Sequence, residues 1–306
     1  MEKMKPLLFI CFAFSLAFRA SAITYDLPDD GSRLLGENQV HQVQQGETIA
    51  LIAEHYGVGF LALMAANKGV DPFLPEVGRQ LLIPTQILLP DVERKGVVVN
   101  LAELRLYYFR PNGTQVDVLP IGIGRIGRET PEMSTYISQK RENPTWTPTQ
   151  NIRNEYAAKG IILPQVIQAG PENPLGEYAL RLAYGSGEYL IHGTNKDFGV
   201  GLRVSSGCIR LFPNDIEYLF SQVDVKTPVR IIDQAIKHSV EPSGEYLLEV
   251  HQPLNRSQQE VQQATTLRLS RDNIKFITQA GVDSSIVNQA LKSQQGIALR
   301  VGLKQG

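Results

Sequence analysis

An α+β protein assembled from three unlike units is what the sequence predicts: a small βααβ module over residues 39–85, a mainly-β domain over 96–233 and a small α/β appendage over 234–306. Three observations carry that expectation. Apolar residues recur at helical spacing between Ile49 and Asn67. From Val97 onward they alternate or run in short stretches broken by turn signals such as Pro111-Asn112-Gly113. Finally, 306 residues exceed one average domain, and 42% apolar against 20% charged residues is ample for packed cores.

Residues 1–22 read as an export signal. Lys3 and Lys5 make a positive start, Leu7–Phe18 is a short apolar run, and Ala20-Ser21-Ala22 offers a small-x-small cleavage site. A run of about twelve apolar residues falls short of the roughly twenty that span a bilayer, so no membrane span is expected. The formal net charge of −1 becomes −3 without this segment, too acidic a balance for nucleic-acid binding.

Tyr25 to Asn38 mixes Pro, Asp, Gly and Ser and reads as an extended lead-in. In the small module Gln39–Val43 alternates like a strand. Gly46-Glu47-Thr48 then supplies a turn and a helix N-cap, with Ile49, Ile52, Ala53 and Tyr56 on one face and Gly57 as the stop. A second helix fits Phe60 to Asn67, and Gln80–Pro84 returns as a strand. After a linker over 86–95, strands fit Val97–Asn100, the alternation through Leu104 and Tyr108, Val116 to Ile123, Met133–Ser138, Tyr178–Ala183, Glu188–Ile191 and Thr227–Ile232. One helix carries Ile216, Leu219, Phe220 and Val223, capped by Asn214 or Asp215. The proline-rich excursion from Asn143 to Pro174 is long enough to be a lid or a substrate wall, with Trp146 as its anchor on the sheet, the favoured reading, or as a wall of the cleft. In the appendage we expect strands over Tyr246–Val250 and Ile297–Val301, a helix over Ser284–Leu291 begun by Asp283, and a Gln-rich connector over 257–264.

The chemistry gathers at Ser205-Ser206-Gly207-Cys208-Ile209-Arg210. Cys208 is the only cysteine outside the first two dozen residues, so an exported chain offers it no second thiol for an intramolecular disulfide. Gly207 permits the strained turn that presents a nucleophile. His192, sixteen positions upstream at the end of an apolar run, is the candidate activator, since an adjacent imidazolium lowers a thiol's pKa from about 8.5.

Two resemblances follow from these residues. Gly46-Glu47-Thr48, Ile52-Ala53, Tyr56-Gly57-Val58, Ala66-Asn67, Gly78 and Leu82-Ile83-Pro84 resemble the LysM module, which binds peptidoglycan glycan strands. His192-Gly193-Thr194-Asn195 followed by Ser205-Ser206-Gly207-Cys208 resembles the signature of the L,D-transpeptidase catalytic domain. Ile121-Gly122-Ile123-Gly124, Thr130-Pro131 and the Pro144 to Pro148 run fit it as well. Together they point to the periplasmic subgroup that attaches the outer-membrane lipoprotein to peptidoglycan.

The resemblance implies that Cys208 attacks the diaminopimelate carbonyl of a tetrapeptide stem and that His192 is base and then acid. It gives the Gly193 carbonyl the part of fixing the imidazole tautomer, and the backbone N–H groups of the Ser206 to Cys208 turn that of an oxyanion hole. Arg210 is either a clamp for a stem carboxylate or a structural partner of Asp215 or Glu217. Where many members carry a second histidine this chain has Ser206, and no metal or cofactor is expected. A periplasmic thiolate is open to oxidation, which implies a thiol reductase as partner. A cysteine peptidase that trims stems and a non-catalytic peptidoglycan-binding protein are the alternatives.

Overall fold

A computed structural model describes residues 22–187, 189–196, 198–255, 257 and 267–304. The expected export signal, apart from Ala22, and the Gln-rich connector, apart from Ser257, lie outside the described residues.

In chain order the structure opens with β1 (Ile23–Asp26) and β2 (Leu34–Leu35). The small module follows: β3 (Gln39–Gln42), α1 (Ile49–His55), α2 (Phe60–Ala66) and β4 (Gln80–Ile83). Thr48 caps α1 by accepting the Leu51 N–H. The two strands pair antiparallel, and Val43, Ile49, Ile52, Leu63, Leu81 and Ile83 form a core of their own. Next come β5 (Ile87–Leu88), β6 (Gly96–Asn100), β7 (Arg105–Phe109), β8 (Gln115–Pro120), β9 (Ile123–Gly124) and the long β10 (Met133–Glu142). Then follow α3 (Gln150–Ala157), β11 (Tyr178–Leu182), β12 (Leu190–His192), β13 (Arg203–Ser205), β14 (Ile209–Arg210), α4 (Pro213–Gln222) and β15 (Pro228–Ile232).

Nine strands join in the order β1-β8-β7-β6-β15-β10-β11-β12-β14. A core of Val97, Leu106, Leu119, Ile137, Leu180, Ile191, Ile209 and others packs α4 against the sheet through Ile216 and Leu219. The lead-in differs from expectation. Ile23–Asp26 pairs with Val118 to Gln115 as an edge strand of this sheet, so the small module is spliced between two pieces of one domain. A four-residue strand with one buried side chain carries too weak an alternation to stand out from a polar segment. The module also touches the connection between His192 and Cys208: the Leu61 N–H donates to the Gly201 carbonyl at 3.3 Å.

Helix α4 begins two to three residues earlier than the sequence suggests. Phe212 is its N-cap, Pro213 is its first residue, and Asp215 lies buried in the first turn instead of capping it. The excursion after β10 is ordered structure. Trp146 and Ile167 exchange backbone hydrogen bonds at 2.8 Å, and the buried Asn173 amide ties the base together through the Pro144 carbonyl. Between them α3 runs without a single buried residue.

The C-terminal unit pairs β16 (Ile236–Val240), β17 (Glu245–Val250) and β18 (Ala298–Leu303) antiparallel. Over this sheet pack α5 (Arg271–Ile277) and α6 (Ser284–Ser293), the latter capped by Asp283. Strand β16 and helix α5 are additions to the expected pattern. A buried ionic cluster joins this unit to the catalytic sheet: the Lys237 ammonium lies 2.9 Å from Glu103 and 2.8 Å from Glu249, with Arg105, Tyr107 and His251 on the same carboxylates. Among the described residues no single helix is long and apolar enough to cross a membrane.

Candidate active site

Strand pairing brings the segments that carry the two expected reactive groups side by side. β12 and β14 run parallel, with Ile191 opposite Ile209 and His192 opposite Arg210. Side chains alternate between faces, so Ile191 and Ile209 enter the core while His192, Arg210 and, one step earlier in the same parity, Cys208 share the other face. That face floors a cleft of about 920 Å³ lined by all three.

The backbone of this floor is locked. The Leu211 N–H donates to the His192 carbonyl at 2.9 Å, and Arg210 exchanges two 2.8 Å hydrogen bonds with Gly122. The turn before Cys208 is held by Ser205, whose hydroxyl accepts the Gly207 N–H at 3.2 Å and donates to the Cys208 carbonyl at 2.6 Å. From outside, the buried Thr130 hydroxyl donates to the Gly207 carbonyl at 2.8 Å. Gly207 has φ of +111°, a backbone conformation that L side chains rarely adopt, so the position favours glycine on conformation, while a Cβ there would make only ordinary contacts. Ser205 and Thr130 as supports went unassigned in sequence. Both sit inside motif segments, but the bonds they make become visible only once the turn is folded.

His192 is buried, and its Nδ1 lies 2.7 Å from the Gly193 carbonyl. A carbonyl only accepts, so Nδ1 carries the proton and Nε2 keeps its lone pair in the neutral ring. Burial, and next the Arg210 charge, push the imidazolium pKa from 6.5 down to about 4, against the pull of the Gly193 and Leu175 carbonyls. This corrects the expectation of an imidazolium beside the sulfur: at neutral pH the ring is uncharged. Arg210 is a cation close enough to Cys208 for their charges to interact, and its own pKa falls because its side chain is desolvated. A Cβ on Gly193 would sit 3.0 Å from the Ile216 side chain, so that residue's smallness seats the loop on α4.

Of the two readings for Arg210, the structural ion pair does not form. It pairs with neither Asp215 nor Glu217, and its Nε is buried without a hydrogen-bond partner. Asp215 is buried as well, its Oδ1 unsatisfied, and desolvation pushes its pKa up to about 7. Ser206 is exposed on the cleft wall. The Gly207 N–H, expected in an oxyanion hole, is already engaged by Ser205. Trp146 lines the cleft, the second of its two expected places.

Of the charged side chains lining the cleft, Arg125, Arg128, Arg141, Lys159, Arg181 and Arg210 outnumber Glu129 and Glu155, giving a cationic chamber. Glu103, Glu249 and His251 offer three metal-type donors at the ionic cluster, but Lys237 already sits between the two carboxylates.

Comparison with known proteins agrees with this architecture. Residues 94–231 match the L,D-transpeptidase catalytic domain, 235–301 the L,D-transpeptidase C-terminal domain and 41–84 the LysM domain. A probable L,D-transpeptidase YcfS of Escherichia coli strain K12 is 50% identical over 94% of this chain and 91% of its own length. The probable L,D-transpeptidase ErfK/SrfK of the same strain is 47% identical over 95% and 96%. Among solved structures, an L,D-transpeptidase of Enterococcus faecium aligns over 46% of this chain and 50% of its own, at 21% identity and a TM-score of 0.36.

Proposed function

Since this chain belongs to the L,D-transpeptidase family, and is an enzyme of it, we propose that Cys208 is its nucleophile and that the acyl group passes through a thioester on that sulfur. The observation that carries the reading is the shared face of Cys208, His192 and Arg210 over one cationic cleft. His192 Nε2, basic and uncharged at neutral pH, takes the thiol proton as sulfur attacks the diaminopimelate carbonyl of a tetrapeptide stem. The carbon–nitrogen bond to D-alanine then breaks, and the proton goes from His192 to the departing amine. Gly193 holds the ring in that tautomer through its carbonyl. Gly207 and Ser206 shape the turn whose backbone faces the developing oxyanion.

Arg210 stabilises the thiolate and meets the stem's terminal carboxylate. An acceptor amine, by resemblance the C-terminal lysine of the outer-membrane lipoprotein, attacks the thioester and releases the sulfur. The LysM domain keeps the enzyme on peptidoglycan in the periplasm, where a thiol reductase returns an oxidised Cys208 to the thiol.

Intact-mass spectrometry of protein mixed with stem tetrapeptide tests this. Wild type should gain the tripeptide acyl mass, and Cys208→Ala should gain nothing. Adduct on the alanine variant would refute the thioester, and free tripeptide as sole product despite added amine would favour the peptidase.

A further inference from the structure

The lid helix α3 buries no residue, yet one of its side chains is gripped from below. The Glu155 carboxylate lies 2.5 Å from an Arg125 nitrogen and 2.8 Å from an Arg128 nitrogen. These two guanidiniums hold its pKa below the ordinary glutamate value. They stand on a turn that is part of the thiol's own scaffold. The Arg125 N–H donates to the Ser205 carbonyl at 3.0 Å, and the Arg128 carbonyl lies 3.7 Å from where a Gly207 Cβ would be. Two cations share one anion there, which leaves positive charge over, and all three groups line the cleft. Glu129, the other carboxylate on the wall, is turned to its own loop, accepting the Gly127 N–H at 2.7 Å.

A carboxylate on an entering ligand therefore meets a fork already shaped for one, contested by Glu155. Diaminopimelate is a dicarboxylic acid. With one carboxyl in the scissile bond and Arg210 taking the terminal carboxylate, its second carboxylate is free at the far end of the side chain. We propose that Arg125 and Arg128 form a specificity subsite for that second carboxylate, and that Glu155 is an internal competitor which must release them as the lid admits the stem. The subsite selects diaminopimelate stems over stems with lysine at that position, which carry the amine but lack the carboxylate. This rests on the reading of the cleft as the stem-peptide site.

The test is a binding titration that needs no turnover. Fluorescence of Trp146, the sole tryptophan and a cleft residue, is followed in the full chain carrying Cys208→Ala. The probes are a tetrapeptide with meso-diaminopimelate and the same peptide with lysine. The parent should prefer the diaminopimelate peptide by about ten- to a hundredfold, the range of a charge-assisted forked contact. Arg125→Gln with Arg128→Gln should remove that preference. Glu155→Gln should bind the diaminopimelate peptide about three- to tenfold tighter and leave the lysine peptide unchanged. Preference retained in the double variant, or no tightening in Glu155→Gln, overturns the subsite while the stem-binding reading stands. Failure of both peptides to bind the parent overturns both.

Discussion

The charge state of His192 is the feature on which the chemistry turns, and it yields a quantitative prediction. Replacing His192 by Asn keeps a donor near the position of Nδ1 for the Gly193 carbonyl and deletes Nε2, the atom assigned the proton transfer. The folded ring has its pKa at about 4 and the unfolded one near 6.5. The unfolded state therefore binds a proton that the folded state refuses, so this group's contribution to stability is complete above about pH 7.5 and is lost as pH drops through 6.5 towards 4. At pH 5 the loss from this one group is about 2 kcal/mol, out of roughly 3.4 kcal/mol when titration is complete. Between pH 8 and pH 5, denaturant unfolding should show wild type losing about 2 kcal/mol relative to His192→Asn, because other titrating groups such as Asp215 contribute equally to both proteins.

Kinetics supply the second half. Acylation of Cys208 by a carbapenem, followed by mass, should lose its acid limb near pH 4 in wild type, with no step near 6.5, and should be slower in the variant by about 10²–10⁴. An acid limb centred near pH 6.5, together with equal pH sensitivity of stability in the two proteins, would refute the claim that burial and Arg210 hold this imidazole neutral.

Two further outcomes follow from buried charge. Asp215 has the opposite sign: its pKa is raised from 3.8 to about 7, so its favourable protonated form is kept below pH 4 and stability falls as pH rises from 4 to 7. Asp215→Asn should be more stable than wild type at pH 8 by about 2–4 kcal/mol and close to it at pH 4; calorimetry showing no gain at pH 8 would reject this. Lys237→Met should cost about 3 kcal/mol or more in urea unfolding, since it takes the ammonium from between Glu103 and Glu249 and leaves the two buried carboxylates to Arg105 and His251. A loss below 1 kcal/mol would mean that Arg105 and His251 suffice.

How much of this was legible in the chain depends on range. The module's helices were readable because Thr48 caps and Ile49, Ile52 and Leu63 face one core at fixed spacing, all within a few turns. Helix α3 was not: a helix with no buried face writes no period into its sequence. Pro213 shifted the start of α4 because a residue without an N–H needs no cap, which moved Asp215 inward. In the site, His192 and Cys208 were found by type and spacing, whereas Ser205 and Thr130 do their work through single hydrogen bonds that any serine or threonine could make elsewhere.

By itself the sequence determined the order of units, the residue types that carry the chemistry, and membership of a family whose spacing of histidine and cysteine is distinctive. Local spacing and turn chemistry are written in consecutive residues, so they survive without coordinates. Only the tertiary structure decided that Ile23–Asp26 closes the edge of a sheet begun on the far side of the LysM domain, that Arg210 faces Cys208 instead of Asp215, and that His192 is uncharged. Those facts depend on which distant groups surround a side chain and how much water they displace, and desolvation and Coulomb energy are sums over neighbours that the linear order does not contain.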